Sequence, residues 1–118
     1  MSVRNVDDVT LEPVPAGTDT RHQVLIGPGE APNFALRRFV MKAGGGMPLH
    51  TNTVEHEQYV LRGRGRVIIG SEEHEVSKGD VVFIPAGTPH SYDTLGDEPF
   101  EFLCAVPNGP DTIELVGC

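Results

Sequence analysis

The sequence predicts an all-β domain, a sandwich or closed barrel, on three observations. Apolar residues fall in short runs rich in β-branched and aromatic side chains, the composition that suits a pleated, half-buried surface. Fourteen glycines and ten prolines lie mostly between those runs, where tight turns would join strands. No window of about ten residues keeps a helical apolar period, so nothing competes with the strand reading.

The elements follow in order. Residues 1–20 are polar and broken by Pro13, Pro15 and Gly17, and are expected to form an irregular N-terminal arm able to pack on a partner subunit. Residues 21–118 make the single domain. Its first strand, Gln23 to Ile26, ends at Gly27-Pro28-Gly29, and Phe34 to Met41 is stopped by Ala43-Gly44-Gly45-Gly46. Gln58 to Leu61 precedes Arg62-Gly63-Arg64-Gly65, and Arg66 to Ile69 precedes Gly70-Ser71. Val81 to Ile84 meets Pro85-Ala86-Gly87, and Phe100 to Val106 meets Pro107-Asn108-Gly109-Pro110.

With 118 residues there is room for one domain, burying roughly two thirds of its unfolded surface. Seventeen acidic against nine basic side chains give a net charge of -8, which argues against nucleic acid and against a polybasic membrane contact. No apolar run approaches the ~20 residues of a membrane span, and the N-terminus has no signal core, so the expected location is the cytoplasm. Cys104 and Cys118 make no disulfide framework.

The chemistry concentrates in two segments. His50 and His56 precede a β-run, and His90 follows a Pro-x-Gly turn at the end of another. Side chains alternate along a strand, so His56, Gln58 and Val60 share one face while Glu57, Tyr59 and Leu61 take the other. The same period extended back puts His50 and Asn52 on the His56 face, and further on it groups His90, Tyr92 and Thr94. Neutral imidazole binds divalent transition metals well, and three nitrogens leave positions open for water, dioxygen or a chelating substrate.

These two segments resemble the two motifs of the cupin superfamily. His50 matches the first ligand, His56 the acidic-ligand position and Gly63 the closing glycine, while Gly79, Pro85, Gly87 and His90 match the second motif. The chain is most similar to small single-domain bacterial cupins with four histidine ligands, a similarity that extends to Val24-Leu25-Ile26-Gly27, Ala31-Pro32-Asn33-Phe34 and Glu101-Phe102-Leu103-Cys104. The resemblance implies a double-stranded β-helix, or jelly-roll barrel, holding one manganese or iron ion, with zinc, nickel and copper compatible with the same donors. It also implies a homodimer that shares an edge strand.

Two positions depart from the pattern. Thr94 replaces the terminal Asn of the second motif, and Asn52 replaces the second histidine of the first. Either Asn52 binds through its oxygen, or water fills the place, or Gln58 reaches in from the next same-face position. An amide oxygen is a weaker, harder donor than imidazole and suits manganese or calcium better than zinc.

Around the ligands, Gln58 and Tyr92 are candidates to orient a substrate. The resemblance places Phe102 and Cys104 in the pocket wall. Arg37 and Arg38 are adjacent in a strand, so one must point inward, and Arg37 is the candidate for binding a carboxylate. His22 and His74 lie in polar surroundings and read as surface residues, and Glu57 as a carboxylate of the outer sheet face. The expected function is a mononuclear metalloenzyme, dioxygenase-like, acting on a small organic molecule. A non-catalytic binder of small ligand or metal, and a metal-dependent isomerase or lyase, are the alternatives. Homodimerisation is expected through the arm and the apolar tail Thr112 to Val116.

Overall fold

The computed structural model describes residues 1–116. Cys118 lies outside the described residues. After a 3-10 turn at Val6–Asp8 the elements are β1 (Glu12–Pro13), β2 (Thr18–Ile26), β3 (Phe34–Asn52), β4 (His56–Arg62) and β5 (Arg64–Ile69). Then come β6 (Glu72–Ser77), β7 (Val81–Ile84), β8 (His90–Leu95), β9 (Phe100–Pro107) and β10 (Ile113–Leu115). All pairings are antiparallel, and the main path runs β6-β5-β8-β3-β9-β4-β7, with β2 and β10 also on β3. The fold is the all-β one expected. Among the described residues no helix is long and apolar enough to cross a membrane.

The glycine run that was expected to end a strand at Met41 does not end it. β3 continues through Ala43-Gly44-Gly45-Gly46 to Asn52, its first part pairing β9 and its last part pairing β8 and β10. Glycine lets the strand make this transfer. Gly44 sits at φ +79°, and a Cβ on Gly45 would stand 2.6 Å from the Thr18 carbonyl oxygen. A Cβ on Gly46 would collide with the carbonyl of Tyr92 on β8, next to Asp93, its partner across the ladder. The glycines therefore mark close backbone approach within a strand, a role that a turn shares in sequence.

The N-terminal arm is also more ordered than its composition suggested. β1 pairs with β2, and β2 begins at Thr18, inside residues 1–20. Gln23 donates from Nε2 to the carbonyls of Val6 (2.9 Å) and Val9 (2.7 Å), and accepts from Arg38, which also pairs with the buried Glu101. Arg4 bridges to Glu30 and to the Leu25 carbonyl. The arm is held by its own chain. The tail is too, because β10 pairs with β3 rather than extending outward.

The strand faces alternate as the sequence requires. His56, Gln58 and Val60 are buried while Glu57 and Tyr59 are exposed, and His90, Tyr92 and Thr94 are buried together. The core is Met41, Met47, Val60, Val67, Ile84, Phe100, Phe102 and Cys104, all on inner faces. Each large side chain buried there contributes roughly 1.5–3 kcal/mol. The polar cluster occupies one end of this same interior, so the apolar core walls the site directly.

Candidate functional site

Two strand registers assemble the histidines. His50, late in β3, pairs with His90 at the start of β8, and His56 opens β4 opposite Ile84 of β7. All three side chains are buried. Ring centroids lie 4.2 Å apart for His50 and His90, and 5.8 Å for His56 and His90.

Backbone carbonyls orient two of the rings. His50 Nδ1 is 2.7 Å from the Pro48 carbonyl and His90 Nδ1 is 2.8 Å from the Thr88 carbonyl. A carbonyl only accepts, so each Nδ1 carries the proton and each Nε2 keeps a lone pair. His56 Nδ1 stands 3.5 Å from the Cys104 sulfur. The Nε2 atoms of His56 and His90 are buried without a hydrogen-bond partner. Buried polar atoms are rarely left so.

Burial keeps the rings of His56 and His90 neutral. Burial, with the charges of Arg37, His90 and His50 adding to it, pushes His56 down to about 3, and burial pushes His90 down to about 4. Among the described residues no three His, Cys, Asp or Glu side chains stand close enough to hold an ion as placed, so binding would need the rings to close up. Asn52 adds an oxygen to the donor set. Its Oδ1 is also buried and unpartnered, while its Nδ2 donates to Asp111 Oδ1 at 3.4 Å. The residues present fit a cation held by imidazole nitrogen and amide oxygen.

Of the other expected residues Gln58, Tyr92, Phe102 and Arg37 line the same cavity, and Cys104 is buried behind Gln58 and Arg37. Gln58 is buried and donates from Nε2 to the Tyr92 hydroxyl at 2.7 Å, with the Cys104 sulfur 3.7 Å away. Its amide nitrogen is committed to that wall. Burial holds the Tyr92 hydroxyl far above the ordinary phenol range and raises the Cys104 thiol as well, against the pull of Arg37. Phe102 lies between Phe39 and Tyr92, with ring centroids 5.3 Å apart on both sides. Of the two arginines it is Arg37 that lines the cavity, while Arg38 faces Glu101. His74 is exposed as expected, but His22 is half-buried with its ring 5.7 Å from Phe39, packed on the aromatic stack that continues into the cavity wall.

Val14, Phe39, Met41, Met47 and Ile113 complete the walls of the cavity. Sequence reasoning missed Asp111 and Ile113. They reach the site through the pairing of Ile113 with Asn52, a contact across the whole domain that no local pattern announces. Phe39 and Met41 were legible only as strand residues.

Residues 37–106 match the Cupin domain family. An uncharacterized protein of Methanocaldococcus jannaschii is 37% identical over 71 residues, 59% of this chain and 57% of that protein. The 1-methylthio-D-xylulose 5-phosphate methylsulfurylase of Rhodospirillum rubrum is 34% identical over 84 residues, 71% of this chain and 53% of that enzyme. The chain thus spans little more than half the length of these curated relatives. Among solved structures, the polyketide cyclase RemF from Streptomyces resistomycificus superposes with a TM-score of 0.91 at 32% identity, covering 100% of this chain and 87% of that one.

Proposed function

The chain belongs to the cupin family, and from that premise we propose that His50, His56 and His90 hold one divalent transition metal, manganese or iron, in an enzyme acting on a small organic molecule. The observation that carries the reading is the pair of buried, unpartnered Nε2 atoms on His56 and His90. A cation is the partner that imidazole lone pairs in one cavity can share. Asn52 Oδ1 supplies a hard fourth donor, which favours manganese or iron over zinc.

When bound there, such an ion supplies Lewis acidity and coordination positions for a chelating oxygen pair. The chain's own residues do the rest. The carbonyls of Pro48 and Thr88 hold two rings in the tautomer that binds, and Phe39, Met41, Met47 and Phe102 keep water from the substrate's body. Tyr92, kept as a neutral phenol by burial, accepts from Gln58 and has its proton to offer a substrate oxygen. Likeness to a polyketide cyclase and a methylsulfurylase supports an enzyme rather than a metal store. Dioxygen chemistry is the second reading, favoured by a ligand set of neutral donors that contains no carboxylate.

Metal content after purification without added metal tests the first claim. Stoichiometric manganese or iron, lost in His56→Ala and His90→Ala, is expected. A folded wild-type protein that takes up neither on reconstitution refutes it. Oxygen uptake with enol, diketone and phenol substrates then separates the two chemistries. Metal without turnover of any of them leaves a binding protein.

The partner we propose is a second copy of the chain. Arm and tail fold on their own subunit, so the surface that fits is the outer face of β7, β4 and β3. There Val81, Phe83, Tyr59 and Phe34 are exposed.

A further inference from the structure

Arg37 is a cation without a counter-charge. Arg4, Arg38, Arg62, Arg64 and Arg66 each meet a carboxylate. Arg37 meets none among the described residues. Its Nε is buried with no partner. Its Nη2 reaches only the Cys104 sulfur, at 3.6 Å, a weak acceptor. The guanidinium carbon stands 5.1 Å from the centroid of the Phe39 ring, inside the cavity that the histidines line. An unpaired cation in apolar surroundings is costly, and an arriving anion would relieve that cost.

The walls limit what that anion can be. Phe39, Phe102 and Tyr92 stack on one another and, with Met41, Met47 and Ile113, give the cavity apolar walls. The cavity is small and partly enclosed, which suits a small molecule rather than a chain. We infer that Arg37 receives the anionic end of the substrate, and that the substrate is a small carboxylate with an apolar body. The inference deepens the proposed function and rests on reading this cavity as the substrate site. Arg37 itself stands on the β3–β9 pairing, opposite Cys104, whose sulfur lies 3.5 Å from His56 Nδ1.

Calorimetry with benzoate and its neutral isostere benzamide tests it, on metal-loaded and chelator-stripped protein. Wild type is expected to bind benzoate about tenfold tighter than benzamide, because a guanidinium holds a carboxylate by charge-assisted, bidentate bonds. Arg37→Met should bind both alike and keep its affinity for benzamide. Arg37→Lys, which keeps the charge but not the fork, should show a smaller preference, and the surface variant Arg66→Met the full one. The preference should survive removal of metal. Circular dichroism checks folding. If Arg37→Met does not fold, Arg37→Lys decides, and an undiminished preference there overturns the inference. So does a preference that persists in Arg37→Met, or wild type that ignores benzoate at millimolar concentration. A preference lost on stripping yet kept in Arg37→Met assigns the carboxylate to the ion, which refutes Arg37 and supports the metal reading. A protein that takes up no metal but loses its preference in Arg37→Met does the reverse.

Discussion

Asp111 holds the amide of Asn52 by its nitrogen, with Nδ2 3.4 Å from Oδ1, and leaves the Asn52 oxygen buried without a partner. A carboxylate can only accept, so this contact decides which end of the amide is engaged and which is left over. The same Oδ1 accepts from the Thr53 amide at 3.2 Å. Thr53 Oγ1 donates to the Pro110 carbonyl at 2.8 Å and accepts from the Thr112 amide at 2.9 Å. The segment before β10 is thereby clipped onto the end of β3, and it carries the group that orients Asn52.

Asp111→Ala should therefore weaken metal binding about tenfold, the scale on which partners behind metal ligands act. Titration calorimetry with manganese reads it. In an Asn52→Ala background the same change should cost little, because the two act as one unit. Equal losses in both backgrounds would mean that Asp111 merely secures the tail.

Acid should destabilise the metal-free protein through its histidines. His56 at about 3 and His90 at about 4 lie below the ordinary 6.5, so between those values the unfolded chain binds more protons than the folded one. Stability is then full above about pH 6.5 and drains as pH falls, by at most about 1.4 kcal/mol per pH unit for each histidine. Glu30, held down to about 2 by Arg4 and Ser2, loses its contribution only below its ordinary 4.5, so above that value the loss belongs to the histidines, opposed by Glu57, whose carboxyl is raised by its hydrogen bond with Glu55. Urea midpoints measured in chelator at pH 7.5 and 5 check this. A midpoint that does not fall, or that falls equally in His56→Gln, would contradict neutral burial.

The contrast between Asn52 and Asp111 shows what the sequence can carry. His50, Asn52, His56, Gln58, His90 and Tyr92 were legible because strand alternation is local: two-residue steps put them on one face, and that face is buried. Asp111 was not, because its position depends on β10 pairing with β3 across more than fifty residues of chain. The glycine run misled for a related reason. Gly44-Gly45-Gly46 reads alike whether the chain turns or whether another backbone passes close by, and only the placement of Tyr92 and Thr18 decides. The choice between Arg37 and Arg38 waited likewise on knowing where Glu101 lies.

Glu101 supports the fold where the arm meets the barrel. Its carboxylate is buried, paired with Arg38 and 3.4 Å from Arg62, and Arg38 passes the contact on to Gln23 and so to the carbonyls of Val6 and Val9. Removing one partner of a largely buried pair leaves the other charge stranded, so Glu101→Ala should cost about 2 kcal/mol or more. Arg38 is partly exposed, which keeps the loss below that of a fully buried pair. Chemical denaturation measures it, and hydrogen exchange should show Val9 and its neighbours losing protection first. An unchanged midpoint would mean that water serves Arg38 as well as Glu101 does.

The outer sheet face makes the last prediction. Phe83 is 56% exposed and Val81 75%, on β7, which among the described residues pairs only with β4 and so presents an edge beside an apolar surface. Tyr59 lies directly across from Val81, and Glu57 from Phe83. Exposed edges with apolar neighbours invite pairing with another chain, and the -8 charge of each copy leaves hydrophobic contact as the force that must overcome repulsion. A dimer seated there should tighten with salt, as screening removes that repulsion. Sedimentation velocity at tens of micromolar is expected to show a dimer, and Phe83→Asp a monomer that keeps its fold and its metal. A wild-type monomer at that concentration would leave these side chains in water and the proposed interface without support. Weakening by salt would instead place charged pairs, not this apolar face, at the contact.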